Sequence, residues 1–315
     1  MAALALAADL PLAPRVGRDT VVAVDFSDIS KEFGGKGMEG MEPGFDASRK
    51  TVAMGHDFCV AAAVSPESDI VSPLHAEMRK GRKQRRPLLD ATLAAVSAAT
   101  GGNGVFTLDR AADGEESMNK LAATGHRCVV RVNKMDRDVF GTGKSIADEL
   151  SALPFHGVTL RRNGVPVDAK IRWKPGAYPV EVKEENAGTR QKDRKYRHLP
   201  VLVVESRIRE STVLLYMLPG KGDDRRLPTQ DDAAAQSLTL LRQCAIQAAQ
   251  AYLLRWHIET FFLRIKRDFN LEEARVRTLG ADLPPNASTT SSTSACSATR
   301  SSTMSFPAAP PATAF

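Results

Sequence analysis

A mixed α/β fold, with helices packed on the faces of a sheet, is predicted by three observations. Short β-branched apolar runs recur between residues 20 and 133, and two of them, TVVAVDFSDI (20–29) and GVFTLD (104–109), carry an aspartate near or at their end. Segments with helical spacing lie among these runs. Residues 155–219 then change to closely spaced β-type runs, and residues 229–269 read as one long helical stretch.

A chain of 315 residues, 43% apolar, has enough material for a real core in one large domain or two ordinary ones. Its net charge of +6 and pI near 9.2 are moderate. The basic residues are clustered, however, in RKGRKQRR (79–86) and again over 190–197. Clustered cations favour a nucleic-acid partner, although either run alone reads equally as a solvated loop. Cys59, Cys128, Cys244 and Cys296 are far apart and give no C-x-x-C or Cys/His zinc spacing, which fits a reducing cytoplasm. No apolar run approaches the roughly 18–20 residues of a membrane span, so no membrane partner is expected. Residues 1–12 are Ala/Leu-rich but no cationic segment precedes them, and they read as a frayed start.

Residues 20–29 read as a buried strand into which Asp25 breaks. Residues 33–45 hold too many glycines for a regular element and predict a loop, without the G-K-[ST] of a phosphate-binding loop. Residues 50–54 and 57–64 supply two short strands or one bent strand, forming an antiparallel meander with the first. Residues 69–86 are polar and basic. Leu88, Leu89, Leu93 and Val96 have helical spacing between Pro87 and the Gly101–Gly102 stop. A short buried strand ending at Asp109, a helix over 115–123 and a strand over 127–133 follow. The β-type runs at 158–161, 165–173, 180–182, 201–205 and 213–218 predict a β-rich insertion. The long helix after it is expected to begin at 229, with a possible break near 243–250. From Ala281 to Phe315 the composition is Ser, Thr, Ala and Pro, which cannot bury a core and predicts disorder.

The long helix carries the densest pattern. At about 100° per residue, Arg255, Lys266, Glu259 and Tyr252 fall at roughly 0°, 20°, 40° and 60°, on one stripe about 21 Å long. One carboxylate set among two cations and a phenol suits a polyanion held while a carboxylate-bound metal acts on one of its phosphates. The plainer reading is an i,i+4 pair of Arg255 and Glu259 on an ordinary helix. Two strand-borne aspartates and this glutamate can converge over the end of the sheet and hold two divalent cations, for which hard oxygen ligands select Mg²⁺ or Mn²⁺. Asp28 is a rival to Asp25. Alternation along the strand puts the two on opposite faces, so one of them serves.

The blocks Val-Asp25-Phe-Ser-Asp-Ile-Ser-Lys, Leu-Asp109-Arg-Ala-Ala-Asp113 and Tyr252-x2-Arg255-x3-Glu259-x6-Lys266 resemble the three catalytic blocks of bacterial insertion-sequence DDE transposases marked by a Y-R-E-K signature. The third block matches at all four positions and is the specific one. This resemblance covers about residues 25–278. It implies an RNase H-like sheet with a β-rich insertion between the second and third acidic residues. It also implies nicking at transposon ends followed by transfer of the freed 3′-hydroxyl into target DNA. Carried over residue by residue, Asp25, Asp109 and Glu259 would be catalytic metal ligands, and Tyr252, Arg255 and Lys266 would hold phosphates. Arg110 and Asp113 would orient Asp109, with Arg110 at the DNA, and Trp256 would stack on an unpaired base or pack in the core. Intact relatives are expected to act as homodimers.

The chain is accordingly divided into a frayed segment (1–19), the first part of an RNase H-like core (20–154), the β-rich insertion (155–219), the Glu-bearing helix (220–279) and the tail (280–315). Such transposases usually carry a helical domain before the first strand and packed, dimerising elements after the Glu-bearing helix. The chain is therefore expected to be truncated or frameshifted at its ends. The readings that follow are a transposase, which could be an inactive remnant; a non-catalytic DNA-binding protein derived from one; or a metal-dependent nuclease of the same fold.

Overall fold

In a computed structural model of the chain, the run beginning at Val21 forms β1 (Val21–Lys31), a strand with partners on both sides. Its alternating side chains serve two cores, as a strand covered on both faces requires. Val22 and Val24 pack with Leu88, Leu93 and Val96, whereas Val21 and Ala23 pack with Ala245, Ala248 and Leu254. The structure describes residues 16–31, 41–46, 50–78, 85–182, 195–220 and 234–268. The basic runs at 79–84 and 190–194, the glycine-rich residues 32–40, the N-terminal residues 1–15 and the tail from 269 onward lie outside the described residues.

Among the described residues, one sheet has the order β2-β3-β1-β5-β6-β10-β9-β8-β7, with a tenth strand, β4, paired to β3. β3 (Thr51–Val64) is a single 14-residue strand antiparallel to β1, so the two short candidates merge. β2 (Glu42–Asp46) and β4 (Val71–Met78) pair with successive parts of β3, over residues 51–55 and 58–64. Both lie where the sequence predicts a loop or polar connection. Backbone pairing at a sheet margin makes little demand on side chains, and there Pro43 is tolerated.

β5 (Val105–Leu108) lies parallel to β1, and β6 (Arg127–Arg131) parallel to β5. Two helices make these parallel connections. α1 (Arg85–Thr100) precedes β5, and α2 (Glu115–Thr124) precedes β6 and closes on Gly125 at φ 76°. Met118 and Leu121 of α2 join the same core as Leu88 and Leu93 of α1.

The β-rich stretch consists of two antiparallel hairpins that continue this sheet. After α3 (Ile146–Ser151), β7 (His156–Arg162) turns into β8 (Val165–Val182) through Asn163 and Gly164, at φ 54° and 73°. Positive φ at both residues is what a two-residue hairpin turn with the right twist needs. β9 (Lys195–Ile208) pairs with β8, and β10 (Ser211–Leu218) pairs with β9 and, antiparallel, with β6.

α4 (Ala234–Asp268) is one continuous helix of 35 residues packed on the other face of the sheet. The break allowed for near 243–250 is absent. That segment, QCAIQAAQ, contains good helix formers, and its buried Cys244, Ala245, Ala248 and Ala249 are small enough to bring the helix axis close to the strands. The buried Arg127 side chain ties β6 to this helix, donating to Gln247 and to Asp19 ahead of β1, each at 3.0 Å.

Candidate active site

The parallel pairing of β1 with β5 positions the two aspartates. Val21 stands beside Val105 and Val24 beside Leu108, so the following residues, Asp25 and Asp109, come at the same level of the sheet. Val21, Ala23 and Val105 face α4, and strand alternation carries that face on to Asp25 and Asp109. Gly104 opens β5 at φ +110°, where an added Cβ would lie 2.9 Å from Val22 Cγ2, which allows β5 to begin tight against β1. β5 ends at Leu108. Asp109 is still extended, at φ −80° and ψ 175°, before the tight turn Arg110–Ala112 carries the chain away.

α4 brings the remaining groups. Arg255 Nη1 donates to Asp25 Oδ2 at 2.8 Å and Nη2 to Glu259 Oε1 at 2.5 Å. Tyr252 Oη donates to Asp109 Oδ1 at 3.2 Å, and the Arg255 guanidinium carbon lies 5.3 Å from the Tyr252 ring centroid. Asp25, Asp109 and Glu259 are thereby linked through two side chains of one helix. The stripe predicted on α4 does not present all its cations to solvent. Arg255 is only 5% exposed, because the stripe is turned towards the strand ends that bear carboxylates.

Burial acts most strongly on Asp25. It raises the carboxyl from 3.8 to about 6, against the pull of Arg255 and the Phe26 amide and with help from the charges of Asp109 and Glu259. Burial also works against charge on Arg255, but Asp25, Tyr252 and Glu259 outweigh it and hold the guanidinium charged. Burial raises the Tyr252 phenol, with Asp109 adding to the effect and Arg255 opposing it.

The donor chemistry fits a hard divalent cation. Asp25, Asp109 and Glu259 offer hard oxygen donors, their side chains 17%, 29% and 35% exposed, and each is in contact with Arg255 or Tyr252 of α4. Among the described residues, no group of three or more His, Cys, Asp or Glu side chains is arranged to hold a metal ion. Arg255, bridging two of the carboxylates, is the cation in place.

The other predicted residues are spread around this centre. Lys266 Nζ lies 4.0 Å from Asp28 Oδ1, so Asp28 has its own cation while Asp25 belongs to the Arg255 group. Trp256 is 54% exposed, which removes the core-packing alternative. Arg110 is exposed. Asp113 does not orient Asp109 directly. Its carboxylate accepts from the amides of Asn133 and Lys134 at 2.6 and 3.1 Å, from Arg137 Nη1 at 2.5 Å and from Tyr178 Oη at 3.0 Å. It is a buried brace between the turn after Asp109, the loop after β6 and β8.

Sequence reasoning misses Arg131, whose Nη1 lies 3.6 Å from Asp109 Oδ1. The pairing of Leu108 with Val130 brings it level with Asp109 on the neighbouring strand. Its only signal is a charge at the end of an apolar run, and which carboxylate it meets depends on register.

Comparison with known proteins adds three findings. No curated protein matches the chain. A cryo-EM structure of a piggyBac transposase synaptic complex with hairpin DNA aligns at 11% identity and a TM-score of 0.36 over 77% of this chain, and only 40% of that protein is covered. The family described as transposase DDE domain matches residues 17–281, from ahead of β1 to beyond α4. By that match, the chain belongs to the transposase DDE domain family.

Proposed function

We propose that this chain is a DNA transposase of the bacterial insertion-sequence type, nicking DNA at transposon ends and joining the freed 3′-hydroxyl to target DNA. The observation that carries the reading is the level placement of Asp25 and Asp109 on adjacent parallel strands, facing a helix whose Arg255 joins Asp25 to Glu259. The arrangement of β3, β1, β5 and β6, with β3 antiparallel and the other two parallel to β1, supports an RNase H-like core. The hairpins β7–β10 are then the insertion between the second and third acidic residues, residues 155–219.

Asp25, Asp109 and Glu259 would hold Mg²⁺ or Mn²⁺, two ions in the full site. When bound, the metal supplies activation of the attacking oxygen and charge stabilisation at the leaving oxygen. The chain's own residues do the rest. Tyr252 and Arg131 hold Asp109, donating to or lying beside its Oδ1. Arg110, Lys266 and Arg255 provide positive charge for phosphates, and Trp256 offers an exposed ring for an unpaired base. Pairing of two such chains, each on one transposon end, and a cytoplasmic location belong to the same reading.

One observation favours a second reading, a DNA-binding protein derived from a transposase and without catalysis. Among the described residues, two of the three carboxylates, Asp25 and Glu259, are bridged by Arg255, and no group of three is arranged for a metal. Supercoiled plasmid incubated with the purified chain and Mg²⁺ or Mn²⁺ separates the two. Nicked circles lost on Asp25→Asn support the enzyme, and joined plasmid products distinguish a transposase from a nuclease. Retained binding with no nicking by the parent supports the second reading.

A further inference from the structure

The Arg255 side chain is 6% exposed yet incompletely satisfied. Its Nη atoms donate to Asp25 and Glu259, while its buried Nε has no hydrogen-bond partner. A guanidinium settled permanently in a core normally satisfies its buried N–H groups, since each one left unmade costs stability. An i,i+4 Arg–Glu pair on a helix usually lies in solvent, whereas this one is drawn inward by a third residue, Asp25.

We propose that Arg255 is a resident counter-cation that competes with divalent metal for Asp25 and Glu259. The proposal rests on the reading of those two carboxylates as metal ligands. Both Asp25 oxygens are engaged, Oδ1 by the Phe26 amide at 2.9 Å and Oδ2 by Arg255 at 2.8 Å. A cation bound to Oδ2 at the usual distance of about 2.0–2.5 Å would press against the like charge of the guanidinium. The arginine-bridged site and the metal-loaded site are therefore alternatives. The bridge holds two carboxylates together in the absence of metal, and loading releases a cation at the place where a DNA phosphate would arrive. Metal and DNA then help each other bind, and the coupling is reciprocal.

The test uses the full chain and Mn²⁺ alone, followed by the electron paramagnetic resonance of free Mn²⁺ and by thermal unfolding in EDTA and in Mn²⁺. Arg255→Gln should bind Mn²⁺ about ten-fold more tightly than the parent or better. It should also unfold at lower temperature in EDTA and regain more of that loss on adding Mn²⁺. Arg131→Gln, which removes a cation beside Asp109 but no bridge, should tighten Mn²⁺ binding by less. Equal affinity of parent and Arg255→Gln overturns the competition and leaves the metal site standing. No Mn²⁺ binding by any of these proteins, even at millimolar metal, overturns the metal-ligand reading and the competition with it. If Arg255→Gln does not fold, the parent decides through its Arg255 side-chain nitrogen resonances during Mg²⁺ titration. Loss of the slowed guanidinium exchange on loading supports displacement, and an intact bridge at saturating Mg²⁺ refutes it.

Discussion

Tyr178 Oη, on β8, donates to the Asp113 carboxylate at 3.0 Å, a hydrogen bond between the β-rich stretch and the turn that follows Asp109. Arg137 lies over the same tyrosine ring at 4.4 Å and donates to the same carboxylate. The hairpins are thus anchored by a buried charge network one turn away from the candidate site. Asp113→Ala should strand Arg137, Tyr178 and two backbone amides, costing about 3–5 kcal/mol in urea unfolding. A loss under about 1 kcal/mol would remove Asp113 as a brace.

Leu254 and Ile258 are fully buried on the face that α4 turns to the sheet, one turn apart and flanking the Arg255 position. Truncating either to Ala should cost about 2–5 kcal/mol, through lost transfer energy and the cavity left behind. Exposed Leu238 and Leu263 on the same helix should cost less than about 1 kcal/mol when changed to Ala. Denaturant unfolding of the four variants checks the orientation of the helix.

Burial pushes the Cys59 and Cys128 thiols up to about 12. A raised thiol pKa means that the neutral form dominates far above physiological pH, and the thiolate is the nucleophile. At about pH 8, iodoacetamide should leave both cysteines unmodified in the folded chain and label them fully in urea, as read by peptide mass spectrometry. Rapid labelling of either in the native state would contradict the burial of Cys59 and Cys128 in the core that Leu88 and Leu93 of α1 and Met118 and Leu121 of α2 complete.

Trp256 and Lys266 separate binding from folding. Trp256→Ala should weaken single-stranded DNA binding by about 1–3 kcal/mol and leave thermal stability nearly unchanged, because the ring is 54% exposed. Lys266→Ala should flatten the dependence of log affinity on log salt by about 0.9 for one lost phosphate contact. Fluorescence anisotropy at several salt concentrations measures both.

Much of this was legible in the chain because burial leaves a mark on composition. The runs around Val22 and Phe106 announce strands, and a charge inside such a run, Asp25, or closing it, Asp109, is unusual enough to single out. The i,i+4 spacing of Arg255 and Glu259 announces their contact. What stayed hidden depends on partners far away in sequence. β2 and β4 are held by backbone pairing to β3, so their glycines, prolines and charges give no strand signal. Register decides that Arg131 meets Asp109, and the rotation of α4 decides that Arg255 is buried against Asp25. The Ala-rich middle of α4 resembles a weak point until the sheet surface requiring small residues is in place.

Glu259→Gln tests the central claim most directly, because it keeps the size of the side chain and removes the charge proposed to bind metal. In Mg²⁺ or Mn²⁺, the parent is predicted to convert supercoiled plasmid to nicked circles. The variant should be slower by about 100-fold or more, about 2.7 kcal/mol of lost transition-state stabilisation, with DNA binding retained. A folded Glu259→Gln protein that nicks as fast as the parent would contradict the assignment of Asp25, Asp109 and Glu259 as the catalytic set.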